Sequence, residues 1–498
     1  AGTVITVNSS ATLAPGNYKI LAKAPGGSGS VIGAAPATAR VIQGGKTMTY
    51  TLTLSGGELY LLVPAWDHSL VVMGSSVAQG YGSSSSLTVP PTRINGSDVT
   101  GYAGLLQSLM MPEGWTMNNI SIGGHNTQNA LDRYATDLAP LAPTAKFAWF
   151  GYSMANEGLH GSANPAAIQA TFSANLASLI AQSRASGFYP LVGLNYPRNQ
   201  YTAGEYEYVK SMNLVMNSWD LPSANFLGAI DDGHGQYISG YFTNDTHPND
   251  AGYQEMFYSI VPTVFAAINA GKTDSPQLAM ANRFARLSQN PGVPAPVTFT
   301  PAHLMHPFTM AFRVRTAHDG TIAAVRSGAN HHTLEIRGGQ LVYRSADGRE
   351  ITASAGMANG GWHEVALAHR HALQQTALMV DGTLVGTLTE QYVPDQFILG
   401  GPAASGRPAT PAVVDFQNWC VYRSAWNINE AVAQMQGNRQ QASMEICAAL
   451  DEAGFLSGSP AVNRAQSLSV AMVHTSNLTA AQEVPPPSNL SVQALPGS

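Results

Sequence analysis

The chain has 498 residues, which is too many for one hydrophobic core and is typical of about three domains. Only 11% of the residues are charged and the formal net charge is −6, while 44% are hydrophobic. The acidic balance and the lack of a dense Lys/Arg run argue against binding to nucleic acid. No stretch approaches the roughly 20 apolar residues that a membrane-spanning helix needs, so no membrane span is predicted.

The composition also indicates a compartment. A low charge content together with 49 Gly and 30 Pro favours an extracellular protein rich in strands and loops. The sequence opens with Ala-Gly-Thr at 1–3 and not with Met, as a mature chain would after removal of a signal peptide, although a chain trimmed in another way would begin in the same manner. We therefore expect a secreted, periplasmic or cell-surface protein. Cys420 and Cys447 could form a disulfide in an oxidising compartment or remain two buried thiols, and the sequence leaves both alternatives open.

Residues 1–66 are predicted to form a small all-β segment. Short apolar runs alternate there with Gly, Pro, Ser and Asn turn signals. Strands are predicted at 3–7, 16–22, 39–42, 47–54 and 59–63. No chemistry can be inferred for this segment.

Residues 67–272 show a different pattern, in which continuous apolar runs alternate with helical periodicity. The runs predict buried strands at 70–73, 117–122, 145–150, 189–194 and 224–230. The helices are predicted at 165–184, 203–218 and 250–270. This alternation predicts an α/β/α domain, with a parallel sheet covered on both faces and reactive groups at the carboxyl ends of its strands.

Beyond this domain the alternation stops. Residues 273–300 read as a linker, and 301–498 as a β-sandwich followed by a C-terminal extension. Strands are predicted at 308–316, 321–326, 332–337, 340–345, 363–369, 376–381 and 395–399. A helix is predicted at 427–437 and a last strand-like run at 467–473.

The first candidate for chemistry is Ser76, in the sequence Gly-Ser-Ser-Val at 74–77. A buried strand ends there in a tight turn that leads into a helix. A serine in this position can direct its hydroxyl out of the sheet edge while its own N–H faces a developing oxyanion. Alone, such a turn is more often structural.

Three later segments supply the other groups that acyl transfer requires. Paired glycines end a strand at 123–124 and allow a backbone N–H to approach a ligand closely. Asn156 follows another strand and can donate a hydrogen bond from its amide. His247 lies on a loop just before a helix. A hydroxyl, a base and two kinds of oxyanion donor therefore follow successive strand ends.

These four segments resemble the conserved blocks of the SGNH hydrolases, also called GDSL esterases and lipases, over roughly 68–270. The resemblance implies a flavodoxin-like parallel sheet and a nucleophile at Ser76. It also implies that Ser76 and Gly124 donate backbone N–H groups to the oxyanion and that Asn156 donates its side-chain amide. By the same resemblance, His247 is the general base.

Two positions depart from the family pattern. Ser75 stands where an Asp is usual, which the chemistry tolerates. The position three residues before the histidine, usually an acid, is Asn244. We predict that Asp245, which follows Asn244 and lies two residues before His247, orients the imidazole. The alternative is that the acid is missing and a backbone carbonyl takes its place.

The C-terminal module contains a Trp-His strand near 362 and a strand that ends in Asp-Gly at 381–382. Over about 300–435 it resembles the laminin-G/concanavalin-like jelly rolls, which implies either a glycan ligand or a spacer role. Acidic residues are too sparse for a calcium site. The run at 231–234, Asp-Asp-Gly-His, reads as a turn and not as a metal site. We expect neither a metal nor another cofactor.

The predicted function is that of a serine esterase whose substrate is an acylated small molecule or polysaccharide, with polysaccharide deacetylation favoured by analogy. A non-catalytic glycan-binding protein with a decayed hydrolase domain is one alternative, supported by Asn244. An O-acyltransferase that uses the same acyl-enzyme is another.

Overall fold

The computed structural model describes residues 66–84, 101–110, 113, 115–280, 282–288, 296–401 and 410–483, and it gives the backbone alone for the strands between 3 and 62 and between 92 and 99. The N-terminal strands are β1 (Thr3–Asn8), β2 (Gly16–Lys23), β3 (Ala37–Val41), β4 (Thr47–Leu52) and β5 (Glu58–Leu62). β1 pairs with β4, and β2 lies between β3 and β5; all the pairs are antiparallel. These five strands overlap those predicted for the all-β segment.

The second region contains a five-stranded parallel sheet. The strands from here to residue 248 are β6 (Ser69–Gly74), β7 (Thr92–Ile94), β8 (Ser97–Val99), β9 (Thr116–Asn119), β10 (Phe147–Gly151), β11 (Tyr189–Gly193), β12 (Ser223–Ala224), β13 (Phe242–Asn244) and β14 (His247–Pro248). The sheet order is β12-β11-β10-β6-β9, and β7–β8 and β13–β14 are separate hairpins. Every residue of β6 and β10 is buried, which is why these strands read as unbroken apolar runs.

Helices cover this sheet. They are α1 (Ser76–Gln79), α2 (Gly101–Met110), α3 (Thr127–Asp132), α4 (Pro165–Ala185), α5 (Ala203–Asn217), α6 (Leu227–Ile230), α7 (Asp250–Tyr258) and α8 (Val264–Asn269). Asn164 caps α4 and Thr202 forms a capping box at the start of α5, as expected of helices that begin with a polar side chain. None of the helices in the described residues is long and apolar enough to cross a membrane. The α/β/α prediction is confirmed.

Two elements of this region differ from the prediction. The strand expected at 224–230 ends at Ala224, and α6 follows it, because the Asn225 side chain accepts a hydrogen bond from the N–H of Gly228 and turns the chain. A short apolar run cannot by itself distinguish a buried strand from a buried helix. The helix expected at 250–270 divides into α7 and α8 around Pro262, which cannot continue a helix.

The strand order places a crevice between β6 and β10, because the chain leaves these neighbouring strands toward opposite edges of the sheet. Gly74 pairs with Gly151 at their carboxyl ends. A Cβ on Gly74 would lie 2.6 Å from the carbonyl oxygen of Gly151 and 2.5 Å from the Cβ of Ala78. Glycine is therefore required where the first helix turns back over the sheet.

The C-terminal region is an antiparallel β-sandwich of two eight-stranded sheets, as predicted in outline. Its strands are β15 (Arg283–Ser288), β16 (Val297–Phe299), β17 (Phe308–Thr316), β18 (Gly320–Ser327), β19 (Asn330–Arg337), β20 (Gln340–Arg344), β21 (Glu350–Gly356), β22 (His363–Arg370), β23 (Gln375–Val380), β24 (Thr383–Thr389), β25 (Gln396–Leu399), β26 (Val413–Tyr422), β27 (Met444–Ala448), β28 (Pro460–Ala461), β29 (Ala471–Val473) and β30 (Leu478–Gln482), with helix α9 (Ile428–Met435). One sheet has the order β24-β23-β22-β17-β26-β15-β30, with β27 also paired to β26. The other has the order β21-β20-β19-β18-β25-β16-β29-β28.

The segment predicted as a linker contributes to this sandwich. β15 pairs with β26 and β30, and β16 pairs with β25 and β29. Residues 273–300 therefore include two strands of the sandwich. The Asn, Pro and Gly residues between these two strands are typical of a linker, so composition alone does not predict the strands.

The two cysteines face each other inside the sandwich. Cys420 in β26 pairs in register with Cys447 in β27, and both are fully buried thiols. The hydrogen bond with Cys447 and, secondarily, burial raise the pKa of the Cys420 thiol well above its usual value. The structure thus has the second of the two alternatives, a pair of buried free thiols.

The sandwich packs on the edge of the parallel sheet beside β12. The N–H of Ser443 donates to the carbonyl of Ser223, and the side-chain oxygen of Asn217 accepts from the N–H groups of Gln441 and Ala442 at 3.1 and 2.8 Å. A sheet edge carries unpaired backbone groups that need such a cover. The two regions therefore share a buried, hydrogen-bonded interface.

Candidate active site

Ser76 and His247 meet at the carboxyl edge of the parallel sheet although 171 residues separate them. Ser76 is the first residue of α1, directly after β6, and His247 begins β14. The Nε2 atom of His247 lies 2.9 Å from the Oγ of Ser76, and both side chains are half-buried. This is the contact that a serine nucleophile and its general base require.

The other nitrogen of the imidazole is held by Asn244. Its Oδ1 lies 3.0 Å from Nδ1 of His247, and the Thr246 hydroxyl lies 2.9 Å from the same nitrogen. The N–H and hydroxyl of Thr246 both donate to that Oδ1, so the amide oxygen and not its nitrogen faces the ring. Nδ1 therefore carries the proton. Nε2 has the free lone pair, which accepts a hydrogen bond from the Ser76 hydroxyl.

The structure places Asn244, and not the predicted Asp245, at the imidazole. β13 and β14 form a hairpin in which Asn244 and His247 are paired, so their side chains lie on the same face. Asp245 sits in the two-residue connection, exposed to solvent, and the hydrogen bonds of the His247 ring in the described part of the chain go to Asn244, Thr246 and Ser76 instead. The structure therefore fits the alternative without an acid, but the amide oxygen of Asn244 stands in place of the expected backbone carbonyl.

The surroundings of His247 keep it neutral. Burial and, secondarily, the nearby guanidinium of Arg198 lower the pKa of the imidazole below its usual value. The exposed ring of Tyr81 lies 4.6 Å from the imidazole, measured between ring centroids. Neither Arg198 nor Tyr81 was identified from the sequence, because neither belongs to a motif and only the folded loops bring them here.

Two of the predicted oxyanion donors are backbone N–H groups. That of Ser76 lies at the first position of α1, where no intrahelical acceptor exists. Gly124 follows Gly123 in a turn closed by a hydrogen bond from His125 to Ile122, and its φ is +80°. No acceptor for its N–H occurs among the residues that the structure describes. A Cβ on Gly123 would lie 3.6 Å from that of Ser76, which places this turn beside the nucleophile.

The third predicted donor is the amide of Asn156. Its Nδ2 donates to the carbonyl of His125 at 3.0 Å, which ties the loop after β10 to the glycine turn and leaves one amide hydrogen for a ligand. The next side chain, Glu157, accepts from the N–H of Thr127 at 2.6 Å and strengthens the same connection. The structure therefore brings Ser76, His247 and the loops of Gly124 and Asn156 to one edge of the sheet, and leaves Asp245 outside this group.

Other polar groups of this region lie outside this arrangement. The carboxylates of Asp231 and Asp232 accept hydrogen bonds from the N–H groups of Gly235 and His234, which is the turn that the sequence predicts. His160 pairs with Glu205 at the start of α5. These residues have structural roles in the described part of the chain.

Comparison with known proteins agrees with this geometry. Residues 72–255 match the GDSL-like Lipase/Acylhydrolase family. The matched segment contains Ser76, the loops of Gly124 and Asn156, and His247, so the resemblance inferred from four short segments is confirmed. The family match and the site together support an acyl hydrolase.

Several solved structures show a low similarity to part of the chain. An acetylxylan esterase from Geobacillus stearothermophilus is 16% identical, with 39% of this chain and 93% of that chain covered and a TM-score of 0.30. An acylhydrolase from Bacteroides fragilis, described as putative, is 14% identical, with coverages of 41% and 88% and a TM-score of 0.30. A SAP-like pentraxin from Limulus polyphemus is 12% identical, with coverages of 31% and 82% and a TM-score of 0.25. Similarities this low support no inference about activity or ligand. No curated protein matches the chain.

Proposed function

We propose that the protein is a serine carboxylic-ester hydrolase that acts through an acyl-enzyme. The observation that carries the proposal is the 2.9 Å contact between Ser76 Oγ and His247 Nε2, with the proton of the imidazole held on Nδ1. A serine hydroxyl becomes an effective nucleophile when a neutral base can accept its proton as it attacks. The lowered pKa of His247 keeps that base neutral at physiological pH.

The reaction then follows from the positions of these groups. His247 removes the proton of Ser76 as the hydroxyl oxygen attacks the ester carbonyl, and the carbonyl oxygen becomes an oxyanion. The N–H groups of Ser76 and Gly124 and the amide of Asn156 donate hydrogen bonds to it. His247 returns the proton to the departing alcohol. Water, deprotonated by the same imidazole, releases the acid and restores the serine.

We propose an O-acetylated polysaccharide as the natural substrate. Two observations support this substrate. One is the β-sandwich joined to residues 67–272, which we call the hydrolase region. The other is the exposed ring of Tyr81, a flat apolar surface beside His247. A glycan ligand for the sandwich, its laminin-G-like identity and secretion of the protein stay predictions from the sequence. Acetate release from acetylated xylan, compared with cleavage of long-chain acyl esters, tests the substrate class.

The decisive experiment compares para-nitrophenyl acetate hydrolysis by the wild type, Ser76→Ala and Ser75→Ala. We expect Ser76→Ala to lose at least about 10³-fold in kcat/KM, because the nucleophile is gone. Ser75→Ala removes a neighbouring buried hydroxyl. Among the described residues, the hydrogen bond of this hydroxyl is a long one, 3.4 Å between Ser75 Oγ and the Tyr196 hydroxyl oxygen, so the variant should keep most of the activity. Equal rates for the wild type and Ser76→Ala would refute the esterase proposal.

The main alternative is a non-catalytic glycan-binding protein with a decayed hydrolase domain. The neutral Asn244 in place of an acid is the observation in its favour. The intact hydrogen bond between Ser76 and His247 argues against decay. A wild type that lacks activity toward any acetyl ester but binds glycans would support this alternative. Faster transfer of the acyl group to an added sugar than to water would instead indicate an acyltransferase.

A further inference from the structure

A second group of reactive side chains lies where the hydrolase region meets the sandwich. Glu255 comes from α7, His306 from the segment just before β17, and His371 from the turn between β22 and β23. Each offers one ligand atom, and these atoms all lie within 4.8 Å of one another. The mechanism proposed for Ser76 uses none of the three.

The carboxylate of Glu255 is only partly satisfied. Its side chain is 5% exposed, and Oε1 lies 2.8 Å from Nδ1 of His306. Oε2 is buried and has no hydrogen-bond partner in the described residues. A buried carboxylate oxygen without a donor is costly, and such groups call for an explanation, of which a bound cation is one.

His371 is oriented as a metal ligand would be. Its Nδ1 lies 3.2 Å from the carbonyl oxygen of Tyr392, so Nδ1–H donates there and Nε2 carries the lone pair. Metal-bound histidines generally donate their second ring N–H to a carbonyl or carboxylate in this way. The amide of Gln391, 3.1 Å from Nε2, belongs to an exposed side chain that can turn aside.

The two imidazoles lie side by side with ring centroids 4.0 Å apart, and the ring of Tyr258 lies 4.5 Å from His306. Two imidazoles and one carboxylate form a ligand set that suits zinc and related divalent transition metals, with water in the remaining position.

We propose that Glu255, His306 and His371 bind one divalent transition-metal ion, with zinc as the first ion to test, and that this ion fastens the sandwich to the hydrolase region. Glu255 belongs to one region and both histidines to the other, so the ion links the two. This departs from the sequence-based expectation of a protein without a metal.

The test uses the full chain, freed of metal with a chelator and then titrated with Co²⁺ and Zn²⁺. We expect one Co²⁺ per chain with visible absorption bands of a low-coordinate site, displaced by an equivalent of Zn²⁺. Saturating Zn²⁺ should raise the melting temperature by a few degrees, because an ion that binds only the folded state stabilises it. A wild type that binds neither ion stoichiometrically overturns the proposal.

Variants locate the site. Glu255→Gln and His371→Ala should each weaken Zn²⁺ binding at least tenfold and abolish the thermal shift. His303→Ala is the matched control, since this exposed histidine lies three residues before His306 in the same segment, and it should bind as the wild type does. Undiminished binding by Glu255→Gln and His371→Ala would contradict the assignment. Because the readout is metal binding, the result is independent of the esterase proposal.

Discussion

The imidazole of His247 is oriented by neutral groups, the amide of Asn244 and the hydroxyl of Thr246. A carbonyl oxygen fixes the tautomer as well as a carboxylate does, because both accept the Nδ1 proton. It does not stabilise the positive charge that the ring acquires in the transition state to the same extent. The base is therefore correctly oriented but electrostatically weaker than in a triad with an acid.

This difference predicts the effect of Asn244→Asp. In the wild type, the pKa of His247 lies below its usual value, so activity should rise with pH through a midpoint below 6.5. A carboxylate at 244 favours the protonated ring and should move this midpoint up by about one to three pH units. We expect kcat above the new midpoint to increase roughly fivefold, since a charge-assisted hydrogen bond replaces a neutral one.

The exposed neighbour provides the control. Asp245→Asn should leave both the midpoint and kcat unchanged, because its carboxylate lies away from the ring. A pH–rate profile of the wild type and the two variants shows whether residue 244 or residue 245 acts on the imidazole. If Asp245→Asn shifted the midpoint and Asn244→Asp did not, Asp245 would be the triad acid after all.

Asn156 permits a second test at this scale. Asn156→Ala should lower kcat by about 10²–10³-fold with little change in KM, because its free amide hydrogen acts on the oxyanion and not on the bound ester. Asn156→Asp keeps the size of the side chain without the donor, and its kcat should be at least as low. Steady-state kinetics measures both effects, and a fall confined to KM would assign Asn156 to substrate binding instead.

Among the elements, β6 and β10 define the site, since the proposed nucleophile follows one and the proposed amide donor follows the other. Their close approach depends on the facing glycines at 74 and 151. The hairpin of β13 and β14 has the corresponding role for the base, because its register sets Asn244 opposite His247. The short connection after α1 packs against this hairpin, where a Cβ on Gly82 would lie 3.2 Å from the Cβ of His247.

Gly74→Ala tests this packing. The new methyl group would lie far inside contact distance of the Gly151 carbonyl, so we expect a loss of about 1–3 kcal/mol or more in the free energy of unfolding. Gly204→Ala, at a position in α5 where a Cβ meets nothing within 4 Å, should be neutral or slightly stabilising. Denaturant unfolding monitored by circular dichroism compares the two, and equal stabilities would contradict the packing argument.

On the scale of the whole molecule, the hydrolase region and the sandwich share buried polar contacts. Asn217 and Asn225 are 1% and 2% exposed and bond to groups of the sandwich, including the Glu430 carboxylate at 2.6 Å from Asn225. Buried polar groups that lose such partners destabilise the fold. The two regions should therefore unfold in one transition.

Asn217→Ala tests this coupling. It leaves the N–H groups of Gln441 and Ala442 without their acceptor, and we expect a loss of roughly 2–3 kcal/mol. Asn438→Ala, on an exposed part of the same segment, should change little. Differential scanning calorimetry of the wild type should give a single transition, and two well-separated transitions would show that the regions fold independently.

Local signals in the sequence determined much of this protein. Buried apolar runs identified the strands of the parallel sheet, and residues 74–77, 123–124, 156 and 247 supplied the candidates for the nucleophile, the oxyanion donors and the base. These features depend on neighbours in the chain, so they can be read without the fold. The strand at 413–422 was missed because Asp415 interrupts its apolar pattern, and only the folded sheet brings Arg286 and Arg315 to pair with that buried carboxylate.

Tertiary structure alone decided which side chain holds the imidazole and which groups meet between the two regions. Asn244 faces His247 because of a hairpin register, which spacing along the chain does not specify. Glu255, His306 and His371 belong to three separated segments with no shared motif, and the packing of the sandwich brings them together. Contacts of this kind depend on how elements distant in the chain are placed in space. The pattern of residue types along the chain does not specify the distance between such elements.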